Sequence, residues 1–348
     1  MFFSIVQHIV PPQYDRYLKY SKLTQAIYQR YTDMAEPYGI DECWLDVTGS
    51  RAVCGYAINI AEQIRRSVKE ELGLTVSIGV SFNKVFAKLG SDLKKPDAIT
   101  EISPDSYKEK VWPLPCSDMI YCGPATTKKL ARYGVHTIGE VAGCDPLFLK
   151  GLLGVNGLAL WTYANGRDHS RVMHKDFVSP VKSVGHGITC VSDLENEEEV
   201  WKVIFALSQD IGHRLRLHNL ATRTVQVQVR GNDLFGSQYQ CKLPLKTQLP
   251  SEIAAAAFRS FKERYSWHTK VRAVTVRAIE LSPKDSAEQL TLFDNVQHRM
   301  TMEKVQDAVE EIRGRFGKSA ITYACLMGDL KMPADGRDKV KMPGIMYQ

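Results

Sequence analysis

No two of the eight cysteines, at positions 43, 54, 116, 122, 144, 190, 241 and 325, form a C-x-x-C pair. Their spacing matches neither a zinc site nor a compact disulfide framework, so a small cysteine-held scaffold is excluded and a reducing cytoplasm is the expected setting. No apolar run approaches the 18 or so residues of a membrane span, and the opening MFFSIVQHIVPP lacks a basic n-region and a small-residue cleavage site. A membrane partner is therefore not expected. Internal repeats and low-complexity tracts are also missing, which excludes solenoids and collagen-like chains. Charge of one sign is barely in excess: 45 Lys and Arg against 39 Asp and Glu leave +6, by itself a weak sign of an anionic partner.

What is present is a 348-residue chain, 44% hydrophobic and 24% charged, long enough for two or three domains that each bury a core. Its charge is unevenly spread. Residues 201 to 280 carry 13 Lys and Arg against 5 Asp and Glu, the mark of a region that meets a polyanion. Helical spacing runs from Tyr17 to Met34, and CWLDV at 43 to 47 reads as a buried strand. Val53, Tyr56, Ala57, Ile60, Ile64 and Val68 mark one long helix, and TVSIGVS at 75 to 81 reads as a strand expected to lie beside the first. A helix over 83 to 94 stops before Pro96. From about 115 to 166 short helical pieces broken by Gly and Pro predict an all-α unit. Residues 182 to 280 predict the order β-α-β-β-α-β, a four-stranded sheet backed by two helices. The stretch after 281 reads as flexible, with a helix near 301 to 316.

Three constellations carry candidate chemistry. Asp41 and Glu42 stand side by side at the mouth of the first strand. Two carboxylates there either form a solvated strand end or hold Mg²⁺, a hard cation that takes oxygen ligands and keeps positions open for phosphate. Asn83, Lys84, Lys88, Lys94 and Lys95 follow the second strand, as a triphosphate contact or an ordinary basic helix face. Gly123, Pro124, Lys128 and Lys129 form a tight turn into a helix, which is either a phosphate-binding N-terminus or a plain helical hairpin.

These blocks, in this order, resemble the Y-family translesion DNA polymerases of the DNA polymerase IV-like branch, from about Val10 to Leu330. GIDECWLDVTGS resembles the palm motif, so the resemblance assigns Asp41 and Glu42 to catalytic Mg²⁺. GLTVSIGVSFNKVFAKLGSDLKKP is similar to the second palm block, which assigns Lys95 to the incoming nucleotide. MIYCGPATTKKLARYGVHTIGEVA resembles the thumb's helix-hairpin-helix, and VKSVGHGIT the opening of the little finger. The implied DNA contacts are Gly123, Lys128, Lys129, Ser183, Gly185, Arg223 and Arg230. The implied fold class is α+β and multidomain: a partial α/β palm over 1–102, an all-α thumb over 103–170, a linker over 171–181, a β-α-β-β-α-β little finger over 182–283 and a tail over 284–348. Gln289, Leu292 and Phe293 in the tail resemble a sliding-clamp-binding peptide, the alternative being a short segment packed on its own domain.

The chain departs from the family pattern at its start. The family's first metal-binding Asp lies in an aromatic-rich strand well upstream of the Asp-Glu pair, whereas 40 residues precede Asp41 here, and neither Asp15 nor Asp33 stands in the matching segment. The expectation is an N-terminally truncated polymerase, missing the first palm strand and most of the fingers. It would be an impaired translesion enzyme, or else a catalytically silent DNA-binding and clamp-binding fragment. Gly39 replaces the palm motif's usual Ser, and Tyr121 replaces the hairpin's usual first Gly. Expected partners are primer-template DNA, deoxynucleoside triphosphates and a sliding clamp, with the chain a monomer in the cytoplasm.

Overall fold

A computed structural model of the chain describes residues 12–289 and 296–333. The chain separates into two compact units, one ending at Val178 and one beginning at Ser179. Among the described residues no helix is long and apolar enough to cross a membrane.

The first unit opens with α1 (Tyr14–Tyr28), then β1 (Ala35–Pro37) and β2 (Cys43–Leu45), α2 (Arg51–Cys54), α3 (Ala57–Leu72), β3 (Ile78–Ser81), α4 (Lys84–Leu93) and β4 (Ile99–Ile102). β1 and β2 pair antiparallel, and β3 and β4 pair parallel, as two separate two-stranded sheets. The expectation that the strands at 43 and 75 lie side by side is therefore corrected, because each pairs with a neighbour outside it. The single helix read from Val53 to Val68 is also corrected. Gly55 adopts φ +90° between α2 and α3, a conformation open to glycine at little cost, and this break leaves Val53 and Tyr56 exposed. α3 then buries Ile60, Ala61, Ile64 and Val68 against Ile27 of α1, with Leu45, Val47, Val76 and Ile78 around them. Each of the larger side chains contributes about 1.5–3 kcal/mol by leaving water.

The unit continues with α5 (Tyr107–Val111), α6 (Pro124–Ala131), α7 (Ile138–Gly143), α8 (Pro146–Leu153) and α9 (Val155–Ala164). Val85, Phe86 and Leu89 of α4 and Ile102 of β4 share one core with Leu130, Ile138, Val141, Leu149 and Leu160 of these helices. The boundary expected at 102 runs through that core, so the α/β part and the helical part form one compact body. The expected linker is also partly tied down. Lys175 donates its amide to the Asp33 carbonyl (2.8 Å) and its ammonium pairs with the Asp33 carboxylate (2.5 Å), while the Met173 amide donates to Glu36 (2.7 Å).

The second unit contains β5 (Val184–Leu194), α10 (Glu197–Leu217), β6 (Leu220–Gly231), β7 (Gly236–Thr247), α11 (Pro250–Arg264), β8 (Val271–Pro283) and α12 (Val296–Phe316). The first six of these elements follow the expected order. The sheet order is β5-β8-β6-β7, antiparallel throughout. Val225, Val227, Val229, Val274 and Val276 alternate inward against Val203, Ile204, Leu207 and Ile211 of α10 and Phe261 of α11. The flexible tail read from the sequence is corrected for its described part. Lys246 donates to the Pro283 carbonyl (3.2 Å) and to the Ser286 hydroxyl (2.7 Å), and the Lys246 amide donates to Glu288 (2.6 Å). α12 docks through His213–Glu310 and Arg216–Asp307, and Tyr323, Leu326 and Met332 pack on the main core.

Candidate active site and nucleic-acid surface

In the first unit, the turn between β1 and β2 is closed by the Tyr38 amide, which donates to the Glu42 carbonyl (2.9 Å). This turn puts Asp41 and Glu42 at the mouth of β2, Asp41 exposed and Glu42 half-buried. Across from them α4 starts at a firm cap, where the Asn83 side chain accepts the Phe86 amide (2.8 Å), worth about 1 kcal/mol to the helix. The Trp44 indole donates to the Lys84 carbonyl (3.0 Å) and ties β2 to that helix start. Lys84 is consumed in this joint: its ammonium pairs with Glu36 (2.8 Å) and lies 4.4 Å from the Trp44 ring centre. Of the five residues grouped with the triphosphate, Asn83 and Lys84 therefore build the scaffold.

Lys88 and Lys95 stand closer to the carboxylates. Lys88 pairs with Glu42 (3.0 Å) and with Asp92, and Lys95 pairs with Asp92 (2.7 Å). Partial burial opposes the Lys88 charge, but the Asp92 and Glu42 carboxylates outweigh it and hold its pKa above the usual lysine value. Burial likewise opposes charge on Asp92, and the two lysines outweigh it and hold Asp92 low. Burial, followed by the nearby Cys43 and Asp41, pushes the Tyr28 phenol up, and burial with Glu36 pushes the Cys43 thiol up to about 12. Neither group offers a base at neutral pH.

Asp41, Glu42, Lys88 and Lys95 all line one cavity of about 1050 Å³, together with Asp168, His169 and Arg171. Sequence reasoning missed Asp92 and this 168–171 segment. Asp92 was legible in principle, since it lies four residues after Lys88 on α4 and three before Lys95, just past the helix end. The 168–171 segment reaches the cavity from more than seventy positions after Lys95, and no local signal marks it. Adjacent carboxylates are the right donor chemistry for a hard cation that completes its shell with water and phosphate oxygens. Among the described residues, however, no group of three or more Asp, Glu, His or Cys stands together as a metal site.

The hairpin predicted at 123–134 is present. Gly123 is the N-cap of α6, with Pro124 in its first turn, and Lys128 and Lys129 are exposed in its last turn. The lysines thus sit at the opposite end of α6 from the free amides, rather than reinforcing them. Tyr121 adopts φ +65°, which explains why a glycine suits that position.

In the second unit, Ser183 is exposed just before β5, and Gly185 pairs with Arg277. A Cβ at Gly185 would stand 3.1 Å from the Arg277 side chain, so the glycine gives that arginine room on the outer face. In the same register Gln226 opposes both Arg277 and Gln240, and Arg230 opposes Ala273. The outer face therefore carries Arg230, Arg277, Lys242 and a block of glutamines, all away from the valine core. Arg223 sits at a break in the β6 register and reaches the Pro244 carbonyl (3.4 Å), out of that row. Arg277 and Lys242 were missed, although the alternation of β7 and β8 carried the signal. Gln289 is exposed, and Leu292 and Phe293 lie outside the described residues.

Residues 5–92 match the impB/mucB/samB family, and residues 181–292 match its C-terminal domain. The DNA polymerase IV of Acetivibrio thermocellus is 43% identical over 321 residues, covering 92% of this chain and 80% of that protein. The chain belongs to the Y-family DNA polymerases. DNA polymerase IV 2 of Bacillus subtilis is 34% identical over 324 residues, covering 91% and 77%, and the Moorella thermoacetica DNA polymerase IV is 32% identical over 315 residues, covering 90% and 78%. A solved Y-family DNA polymerase chimera shares the fold with a TM-score of 0.68 at 20% identity, covering 78% of each chain. The mixed helix and strand architecture is thus that of a Y-family, DNA polymerase IV-like chain.

Proposed function

We propose that the chain serves translesion DNA synthesis, transferring a nucleotide from a deoxynucleoside triphosphate to a primer end on damaged template DNA. The observation that carries this reading is the single cavity where a paired carboxylate and two lysines meet in a Y-family chain. In the reaction the primer 3′-hydroxyl gives up its proton to solvent as its oxygen bonds to the α-phosphorus, the bond to the bridging oxygen breaks and pyrophosphate leaves. Mg²⁺ bound at the carboxylates would lower the hydroxyl's pKa and neutralise phosphate oxygens. Asp41 and Glu42 would hold it, with Lys88 fixing the Glu42 carboxylate. Lys95, 59% exposed, exchanges Asp92 for the triphosphate. The palm role falls to the α/β part, the thumb role to the helices with Gly123, Lys128 and Lys129, and the little-finger role to the second unit. Ser183, Gly185, Arg223, Arg230 and Arg277 would face DNA phosphates there. Gln289, Leu292 and Phe293 would take a sliding clamp.

One observation favours a second reading, a catalytically silent chain that binds DNA and a clamp. The described residues bring two carboxylates together and no third, fewer than a pair of hard cations needs for in-line transfer. Primer extension on a template with an abasic site separates the readings. The chain alone is compared with a chain extended upstream by a carboxylate-bearing strand. Misplaced reacting groups cost about a hundredfold, so the extended chain is expected to be faster by at least that factor. Extension by the chain alone, however slow, supports the first reading, whereas no extension by the chain alone, with DNA binding intact, would establish the silent reading.

A further inference from the structure

The outer face of the second unit's sheet carries more than charge. In the β6–β7 register Gln226 opposes Gln240 and Gln228 opposes Gln238, and on β8 the neighbours of these two rows are Arg277 and Thr275. The next row toward one end pairs Thr224 with Lys242, and toward the other Arg230 with Gly236. Four primary amides therefore form a square, with Lys242 and Arg230 at its ends and Arg277 on its flank. Beyond β8 the same two rows finish at Gly185 and Gly187 of β5, which raise no side chain. Among the described residues none of the four amide side chains makes a hydrogen bond, and none of the three cations has an ion-pair partner. Gln226 is 8% exposed, which leaves its amide little water and no protein partner, a cost that a ligand bound there would remove.

Attraction to phosphate explains the cations and leaves the amides unexplained. A phosphate oxygen only accepts hydrogen bonds, so beside it a glutamine uses its NH₂ and leaves its carbonyl oxygen idle. An amide is matched in full by a group that donates and accepts side by side. The major-groove edge of adenine, with N6 donating and N7 accepting, is such a group. We propose that Gln226, Gln228, Gln238 and Gln240 read base edges in the major groove of duplex DNA and favour A·T pairs, while Lys242, Arg230 and Arg277 hold the flanking phosphates. Gln226 and Gln228 stand two residues apart on β6, about 6.8 Å, which spans two base-pair steps of about 3.4 Å each. The groove, about 12 Å wide, admits a two-stranded ribbon, and β6 with β7 supplies one. Duplex RNA does not fit, since side chains cannot read its deep, narrow major groove. The inference rests on the DNA-binding role proposed for the second unit, and it adds a base preference to contacts that phosphates alone would leave indifferent to sequence.

Fluorescence anisotropy with the full chain tests this on short duplexes of equal length: A·T pairs in mixed order, G·C pairs, and the A·T duplex with 7-deazaadenine in place of adenine. The analogue removes the N7 acceptor and leaves base pairing and the minor groove as they are, so it separates base reading from duplex shape. The A·T duplex is expected to bind at least about tenfold tighter than the G·C duplex, and the analogue to lose most of that advantage. Gln228→Ala with Gln238→Ala, both exposed, should lose it too, with the slope of log affinity against log salt unchanged because no charge is removed. Equal affinity for the A·T and G·C duplexes, an advantage that survives in the analogue, or one that survives in the double variant would each overturn the proposal. In any of these cases, binding that still falls with salt and weakens in Arg230→Glu and Arg277→Glu leaves the DNA-binding role standing. Binding indifferent to salt and to both arginines overturns that role as well.

Discussion

Tyr121 occupies the left-handed backbone region, which glycine enters freely and a β-branched side chain hardly at all. Tyr121→Val should therefore cost about 1–2 kcal/mol in chemical denaturation, whereas Tyr121→Gly should stay within about 1 kcal/mol of the parent, its relief offset by unfolded-state entropy. Equal tolerance of valine and glycine would contradict the assignment. Glu140 offers a pH test. Its carboxylate accepts the His136 (2.6 Å) and Thr137 (2.8 Å) amides, and these backbone donors hold its pKa below the usual glutamate value. A carboxylate depressed in the folded state stabilises at pH values above its unfolded pKa, and that stability is lost as pH falls through the folded pKa. Glu140→Gln should accordingly lower the melting temperature at pH 7, with the difference closing at pH 3. At this scale the sequence showed the Asp41–Glu42 pair plainly, since two adjacent carboxylates before an apolar strand are visible in any reading. It did not show that Lys84 is spent on Glu36 and Trp44, because that joint depends on a partner 48 positions away.

Elements with strong internal periodicity were legible. α10 announces itself by Asn196 as cap, three glutamates in its first turn and basic residues in its last, and β6 and β8 by their alternating valines. The pairing of short strands was not legible. β2 and β3 have three and four residues, and which edge each uses is decided by non-local packing that local pattern does not encode. The docking of α12 was hidden for the same reason, resting on ion pairs that span some ninety positions. On the sheet's outer face, Arg230→Glu and Arg277→Glu should each weaken DNA binding on every sequence alike. Each should also flatten the slope of log affinity against log salt by about 1. Arg223→Glu, out of that row, should change the slope less. Fluorescence anisotropy at several salt concentrations reads both quantities. An unchanged slope for Arg230 and Arg277 would remove this face from the DNA interface.

For the whole molecule, the proposed function divides labour between two compact units, with chemistry in the first and backbone-directed DNA contact in the second. A clamp contact at Gln289, Leu292 and Phe293 would be a third, separable function. Leu292→Ala with Phe293→Ala should abolish binding to a bacterial sliding clamp in calorimetry and leave DNA affinity unchanged, since a few apolar anchors dominate so short an interface. Retained clamp binding with a fall in melting temperature would make them packing residues instead. The measurement that bears most directly on the central claim is single-nucleotide incorporation by the upstream-extended chain carrying Asp41→Asn and Glu42→Gln, run beside its DNA affinity. Incorporation is expected to fall by at least about a hundredfold with DNA affinity unchanged. Incorporation at the parent rate would contradict it.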